Sequence, residues 1–261
     1  MIKDHKKADS NGLLYPTRLV VPATNFTAGF PKLGYLGIKR IFDASDMVKY
    51  GSKTIVQASD LKEKLQTMGL TSENVTIVSI DAVAMYPSIK YKLIEKAIEW
   101  YALPLPVEDR ETIKSCLELI KFGMESTLVT FEDKYYLYDG DQLAEEKGLM
   151  IGGYESAWLA DLAMSFLLDT LDEKLFEPLT YYGFYRDDGI FVFAGKWDDK
   201  MISNWLESFQ GAIDVTADGD YLQFTADINN KNSITTSSDN PKVGLCWNHL
   251  SFCNPSGMCH I

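Results

Sequence analysis

The hydrophobic pattern of this chain alternates between short runs typical of strands and longer stripes typical of helices. The apolar run at 75–80 (VTIVSI) predicts a buried strand, and the run at 181–194 (YYGFYRDDGIFVFA) predicts a β-hairpin with an acidic tip. Between these strands, apolar residues at helical spacing predict helices over 88–102, 108–125 and 154–172. A second hairpin is predicted at 128–139.

The flanking segments predict smaller elements. A strand is expected at 13–21 (LLYPTRLVV), a helix at 60–68, and another helix from 198 or 199 to 210. Strands are expected at 213–216 and 221–228, joined by a turn at Asp218-Gly219. Together the elements predict an α+β fold, with an antiparallel sheet on one side and helices on the other.

Three aspartates within this pattern are the candidate catalytic residues. Asp187 and Asp188 form the predicted hairpin tip, and Asp81 ends the strand at 75–80. Carboxylates repel one another unless a cation lies between them, and Mg²⁺ is a hard cation that takes carboxylate oxygens and keeps positions for phosphate. The trio therefore predicts a two-metal site of the kind found in nucleic-acid polymerases, with Mn²⁺ as a possible substitute. The alternative is that Asp187-Asp188 is an ordinary solvated turn.

Several segments resemble the reverse transcriptases. YRDD at 185–188 is similar to the family's aromatic-x-Asp-Asp motif, and DAVAMYPSI at 81–89 is similar to its first catalytic motif. GLMIGGYESAWLADLAM at 148–164 resembles the family's glycine-rich loop and following helix, where Gly152 and Ser156 match the glycine and serine. IKDHKK (2–7), TRLVV (17–21) and YYLYDGDQLAEEKG (135–148) resemble the Penelope-like retroelement branch, which is related to telomerase.

The resemblance implies an RNA-directed DNA polymerase that extends a DNA primer on an RNA template with dNTPs. It implies a fingers-like region at 1–70 and a palm at 71–261, with the helices and hairpin of 88–147 inserted between the catalytic motifs. The thumb is expected to be absent or incomplete.

Residue roles follow from the same resemblance. Asp81 and Asp187 would hold both metal ions, with the carbonyl of Ala82 as an extra ligand and Asp188 as a weaker one. The remaining expected roles concern the nucleotide. The incoming triphosphate would be contacted by Arg18, Lys3 and Lys6, and the base-pair and template side would be lined by Gly152 and Ser156. Tyr86 would lie under the sugar. A ring under the sugar clashes with a 2′-hydroxyl, so Tyr86 predicts selection of dNTPs over NTPs.

The chain also departs from the family pattern. Ala157 follows Ser156 where proline is usual, Leu19 follows Arg18 where proline is usual, and no primer-grip motif is visible near 221–252. AMYPSI is also similar to the first motif of family B DNA polymerases, but that family's Asp-Thr-Asp core does not occur here. Two alternatives remain: a DNA-templated polymerase with a related palm, and an inactive domesticated palm that binds nucleic acid or a partner.

The distribution of charge along the chain bears on whether nucleic acid is an expected partner. The net charge is −12, which by itself argues against nucleic acid, but residues 1–64 carry 11 Lys and Arg against 6 Asp and Glu. A basic fingers region can bind phosphate beside an acidic palm, and the acidic total predicts weak, salt-sensitive template binding.

The composition predicts no transmembrane helix and no secretory signal, and so an intracellular protein, nuclear or cytoplasmic, with reduced cysteines. Cys253, Cys259 and His260 fit no common zinc-finger spacing.

Overall fold

The computed structural model describes residues 20–21, 26–55, 58–68, 75–138, 140, 143, 146–217 and 222–227. These residues form two compact units, each assembled from separate stretches of chain. The first unit contains the described residues up to Ser52, Val83–Leu171 and Ile213–Gln223. The second contains Lys53–Ala82, Asp172–Ala212 and the described residues from Phe224. The assignment of 1–70 to fingers and 71–261 to a palm stays a prediction.

A four-stranded sheet in the order β4-β5-β1-β6 organises the second unit. The pairs β4–β5 and β5–β1 are antiparallel. The strands are β1 (Val75–Val83), β4 (Leu179–Tyr185), β5 (Asp188–Ala194) and β6 (Gln223–Asp227). The fold is therefore the expected α+β arrangement of an antiparallel sheet backed by helices.

Both faces of this sheet are buried, which explains why β5 reads as a nearly continuous apolar run. Side chains alternate between the faces of a strand, so neighbouring residues of β5 contact different helices. One face packs on α2 (Ala58–Thr67) and the other on α7 (Asp199–Ala217). The α2 face contains Leu61, Leu65, Ile77, Ile190 and Val192, and the α7 face contains Phe191, Phe193, Trp205, Phe209 and Phe224.

A short segment before α2 covers the outer edge of β4. The Ile55 N–H donates to the Phe184 carbonyl at 2.7 Å, and the Phe184 N–H donates to the Lys53 carbonyl at 2.9 Å. An uncovered edge strand is a site for unwanted pairing, so this segment protects β4 from other chains.

Helices dominate the first unit. Its helices are α1 (Gly29–Ala44), α3 (Met85–Ser88), α4 (Tyr91–Ala102), α5 (Val107–Ser126) and α6 (Ser156–Thr170). A separate hairpin joins β2 (Leu128–Phe131) to β3 (Lys134–Leu137), and its turn at Glu132 and Asp133 has positive φ angles. Among the described helices, none combines the length and apolar character needed to cross a bilayer.

Helix α1 was not expected from the sequence, because three glycines interrupt its pattern. Glycine lowers helix propensity, but here it allows close packing of α1 against α5. A Cβ at Gly34 would collide with the Cys116 carbonyl oxygen, and one at Gly37 would lie 2.6 Å from the Cys116 Sγ. The tertiary contact thus explains residues that the helical pattern alone disfavours.

Two local predictions were wrong. The strand expected at 213–216 is the last part of α7, where Ile213 continues the buried stripe of that helix and is fully buried. The β-branched residues there favour a strand locally, but packing along the helix face overrides that preference. The helix expected over 88–102 does not begin at Ser88: α4 begins at Tyr91, and Ser88 ends α3, where its hydroxyl donates to the Val83 carbonyl at 3.3 Å.

Candidate active site

The register of β1 and β5 brings two of the predicted catalytic aspartates together. Asp81 lies directly opposite Asp188 in the antiparallel pair. Cβ atoms of directly opposed residues are about 4.5–5.5 Å apart. Both residues belong to the second unit, Asp81 being exposed and Asp188 half-buried.

The two carboxylates project from the same face of the sheet. Ile77 and Val192 form an opposed pair four residues from the aspartates, and both pack in the cluster beneath α2. Because side chains repeat every second residue, Asp81 and Asp188 share that face. Tyr185 is opposite Asp188 on the other neighbouring strand, so Tyr185, Asp188 and Asp81 form one row across β4, β5 and β1.

Asp187 lies in the two-residue turn that joins β4 to β5. The Ala82 N–H donates to the Asp187 carbonyl oxygen at 2.8 Å, which ties the turn to the end of β1. Arg186 completes the turn with a φ of 56°, and its guanidinium lies 5.8 Å from the centre of the Tyr185 ring. The trio therefore meets at one end of the sheet, while the ranking of Asp187 above Asp188 as a metal ligand stays a prediction.

The donor set fits the chemistry of a magnesium ion that also binds phosphate. Among the residues that the structure describes, no three His, Cys, Asp or Glu side chains form a group that could hold a metal ion. Mg²⁺ is usually held by one or two carboxylates, with substrate phosphates and waters completing its octahedron. The two opposed carboxylates of Asp81 and Asp188 correspond to that number of protein ligands, whereas Asp187 does not complete a group of three with them. Ala82, the predicted carbonyl ligand, is buried in β1.

Tyr86 and the glycine-rich segment contact each other within the first unit. Tyr86 lies in α3 and is half-buried, and its carbonyl oxygen accepts a hydrogen bond from the Leu149 N–H at 2.8 Å. A Cβ at Gly148 would collide with the backbone of Pro87. The end of the first motif and the start of the glycine-rich motif are therefore packed together.

Gly152 needs to be glycine for two reasons. Its φ of +103° is a conformation that side-chain-bearing residues rarely adopt, and a Cβ there would collide with the Val21 carbonyl oxygen. The Val21 N–H donates to the Ile151 carbonyl at 2.8 Å, so the loop is fixed against the segment that follows Arg18 in the sequence. Ser156 begins α6 and is 1% exposed, so its hydroxyl lies in the interior beside Glu155.

Glu155 is a buried carboxyl that the sequence reasoning missed. It is 2% exposed, and its Oε1 lies 2.7 Å from the position of a Cβ added to Gly153. Burial raises the pKa of this carboxyl, while its own backbone and the Ser156 hydroxyl oppose the shift. An acidic residue between a tyrosine and a serine before an apolar helix resembles an exposed helix start, so no sequence signal identified its burial.

Other predicted residues lie outside the described part of the chain. Lys3, Lys6 and Arg18 are among them, and so are Cys253, Cys259 and His260. The described acidic residues of the site belong to the second unit, whereas Tyr86, Gly152 and Ser156 belong to the first. Their participation in one active site stays a prediction.

Comparison with known proteins identifies the fold. No family model matches the chain, and no curated protein matches it. Among solved structures, telomerase from Candida tropicalis in complex with a fragment of telomeric RNA matches with a TM-score of 0.51 at 13% identity. The match covers 92% of this chain and 39% of the telomerase chain, so this chain spans well under half of that protein.

Two further matches have lower scores. Apo telomerase from Candida tropicalis gives a TM-score of 0.49 at 12% identity, over 77% of this chain and 36% of that one. The RNA polymerase complex inside a dsRNA virus gives 0.44 at 14% identity, over 77% of this chain and 18% of that one. On the telomerase match, the chain has the fold of the matched part of that protein, an antiparallel sheet backed by helices of the reverse transcriptase-like kind.

Proposed function

We propose that this protein is an RNA-directed DNA polymerase that extends a primer with dNTPs. The observation that carries the proposal is the opposition of Asp81 and Asp188 on one face of a palm-type sheet, with Asp187 in the adjoining turn. Carboxylates in direct opposition destabilise a sheet unless a cation accompanies them. Their placement at the end of the sheet is thus better explained by metal binding than by folding.

In the proposed reaction, the primer 3′-hydroxyl gives its proton to solvent and its oxygen bonds to the α-phosphorus of a dNTP, while the bond from that phosphorus to pyrophosphate breaks. Asp81, Asp187 and Asp188 would hold two Mg²⁺ ions, with the Ala82 carbonyl as a further ligand. The bound metal would lower the pKa of the 3′-hydroxyl and neutralise charge on the leaving pyrophosphate. The aspartates position these groups, since nucleotidyl transfer depends mainly on alignment and electrostatic stabilisation.

The remaining expected residues would position the nucleotide and the template. Tyr86 supports DNA as the product, because an aromatic ring under the sugar disfavours a 2′-hydroxyl. Gly152 and Ser156 would line the base-pair side, and Arg18, Lys3 and Lys6 would contact the triphosphate. An RNA template is proposed from the resemblance of YRDD and its companion motifs to the reverse transcriptases.

Primer extension on poly(rA)/oligo(dT), resolved on a gel with a titration of Mg²⁺ and Mn²⁺, tests the proposal. Wild type is expected to extend the primer, and Asp81→Asn and Asp187→Asn are each expected to reduce the rate at least about a hundredfold. The matched control is Asp133→Asn, because Asp133 is an exposed aspartate in the turn of the other hairpin. Its extension rate should equal that of wild type.

Three results would contradict the proposal. Full extension by Asp187→Asn would show that the Asp187 carboxylate at the hairpin tip does not hold a catalytic metal ion. Extension on a matched DNA template but not on RNA would replace it with the DNA-templated alternative. No extension by any variant, together with no rise in thermal midpoint on adding Mn²⁺, would instead indicate an inactive palm.

A further inference from the structure

Lys147 is a buried lysine of the first unit, and it directly precedes the glycine-rich segment that begins at Gly148. Its side chain is 1% exposed, like the apolar residues of the core. Its Nζ donates to the Glu125 carbonyl oxygen at 3.2 Å, and no carboxylate among the described residues lies within ion-pair distance of it. A buried ammonium destabilises a fold unless its charge is compensated, so the end of α5 that it contacts has to supply that compensation.

The C-terminal end of α5 carries the negative charge that a buried cation needs. The last four carbonyl groups of a helix have no partner within it, and the helix dipole places partial negative charge there. The last turn of α5 contains no basic residue of its own. The Thr127 hydroxyl donates to the Gly123 carbonyl at 2.7 Å, and the Thr27 hydroxyl donates to the Ser126 carbonyl at 3.4 Å. Lys147 therefore brings a cation to this helix end from a position 22 residues after Glu125 in the chain.

The backbone next to Lys147 is bonded to the segment that contains Tyr86. The Tyr91 N–H, at the start of α4, donates to the Lys147 carbonyl at 3.3 Å. The Leu149 N–H donates to the Tyr86 carbonyl in α3 at 2.8 Å. Residues 147–149 thus connect the end of α5 with α3 and with the start of α4, all within the first unit.

We propose that Lys147 is a positioning residue that sets the selection between dNTPs and rNTPs by holding the backbone of Tyr86 in place. The inference rests on the proposed function, in which the Tyr86 ring lies under the sugar. Steric selection requires that the excluding group stays in position when the wrong substrate binds. The bond from Lys147 to the end of α5 opposes a shift of residues 147–149, and with them of the Tyr86 backbone. Lys147 itself touches no nucleotide and acts through Tyr86.

Primer extension by Lys147→Met tests the inference, because methionine keeps most of the length of the side chain but removes its charge and its donors. The ratio of kcat/KM for an rNTP to that for the matched dNTP is expected to rise at least about threefold, since displacement of a positioning group changes rates even from a distance. In the Tyr86→Ala background the same substitution should leave the ratio unchanged, because Lys147 acts through Tyr86.

Thr127→Val is the matched control for these measurements. Thr127 is 1% exposed like Lys147, and the substitution removes a different hydrogen bond to the same end of α5. If Lys147 only stabilised the end of the helix, both variants would lose stability and neither would change the nucleotide ratio. The ratio of Thr127→Val should equal that of wild type.

Amide hydrogen exchange tests the same contact without polymerase activity. In Lys147→Met the Leu149 and Tyr91 amides are expected to exchange at least about tenfold faster than in Thr127→Val, with amides in the middle of α5 as the internal reference. The exchange result and the extension result are independent. If wild type extends no primer, the proposed function fails, and the exchange rates still decide whether Lys147 holds the segment of Tyr86.

Three results would overturn the inference: equal exchange of these amides in the two variants, an unchanged nucleotide ratio in an active Lys147→Met protein, or a further rise of the ratio when Lys147→Met is added to Tyr86→Ala. If Lys147→Met does not fold, as judged by circular dichroism, exchange in wild type decides. A Leu149 amide as slow as those in the middle of α5 supports the inference, and a fast one overturns it.

Discussion

In the proposed polymerase, Tyr86 is the side chain expected to set the choice of substrate. It lies five residues after Asp81, in the short helix α3, and its backbone is fixed to Leu149. In the proposed function the Tyr86 ring lies under the sugar, where it would clash with the 2′-hydroxyl of an rNTP. Steric exclusion by a fixed group is an effective means of selection between closely related substrates.

Tyr86→Ala is therefore expected to raise the use of rNTPs relative to dNTPs by at least about tenfold, since removal of a steric clash is worth more than 1.4 kcal/mol. The measurement is the ratio of kcat/KM for matched rNTP and dNTP in primer extension. Tyr135→Ala, which removes an exposed tyrosine, serves as the control. An unchanged ratio in Tyr86→Ala would show that Tyr86 is no gate.

Glu155 is expected to make folding stability depend on pH, because its carboxyl is buried. Burial raises its pKa above the ordinary 4.5, so the folded state binds this proton more tightly than the unfolded state does. The stabilising contribution is therefore complete below pH 4.5 and is lost as the pH rises through the raised pKa. The Glu155→Gln side chain cannot ionise, so the free energy of unfolding of this variant should fall less than that of wild type as the pH is raised.

Thermal midpoints of both proteins, measured in steps from acidic to neutral pH, check this expectation. The control is Glu111→Gln, because Glu111 is an exposed residue on α5. Parallel curves for wild type and Glu155→Gln would mean that Glu155 does not carry the pH dependence.

At the scale of elements, glycines in helices have opposite roles according to what they face. Gly34 of α1 faces α5, where an added Cβ would collide with the Cys116 carbonyl oxygen and lie 2.9 Å from Ile120 Cγ1. Gly211 of α7 is exposed, and a Cβ there would meet nothing within 4 Å. The first glycine permits a helix contact, and the second only weakens its helix.

Gly34→Ala is expected to destabilise the protein by about 1–3 kcal/mol, because overpacking forces α1 away from α5. Gly211→Ala, the matched control, is expected to stabilise it by about 0.5–1 kcal/mol through helix propensity alone. Urea denaturation measures both changes as shifts of the midpoint. Equal effects of the two substitutions would contradict the close packing of α1 on α5.

At the scale of the whole molecule, charge is distributed unevenly along the sequence. The balance is +5 over residues 1–64 and −17 over residues 65–261. Nucleic-acid binding would then depend on a small number of cations within an acidic protein. Affinity that comes from few phosphate contacts in a repulsive overall field is sensitive to salt.

Template–primer binding by the isolated chain is therefore expected to be weak and to fall at least about tenfold between 50 and 200 mM salt. Filter binding at a series of salt concentrations gives this slope. A small basic protein that binds nucleic acid without sequence preference provides the calibration. Tight binding that persists at high salt would show that apolar or hydrogen-bonded contacts dominate instead.

Local signals account for the parts of the fold and of the candidate site that the sequence determined. The acidic tip at Asp187-Asp188 interrupts two aromatic runs, and Asp81 ends an apolar run, so period and composition alone identified the hairpin, the strand and the α+β class. The long amphipathic helices α4, α5 and α6 were predicted for the same reason, since each has a stripe at helical spacing. These features depend on residues close in sequence.

Tertiary structure decided everything that depends on residues distant in sequence. Only the register of β1 against β5 makes Asp188 the direct neighbour of Asp81, because a shift of one residue would move every side chain to the other face. Packing against α5 made a helix of the glycine-interrupted segment α1, and packing along the helix face extended α7 through the β-branched residues up to Ala217. Burial of Glu155 likewise arises from the fold around it, since a carboxyl's environment is set by neighbours that the local sequence does not specify.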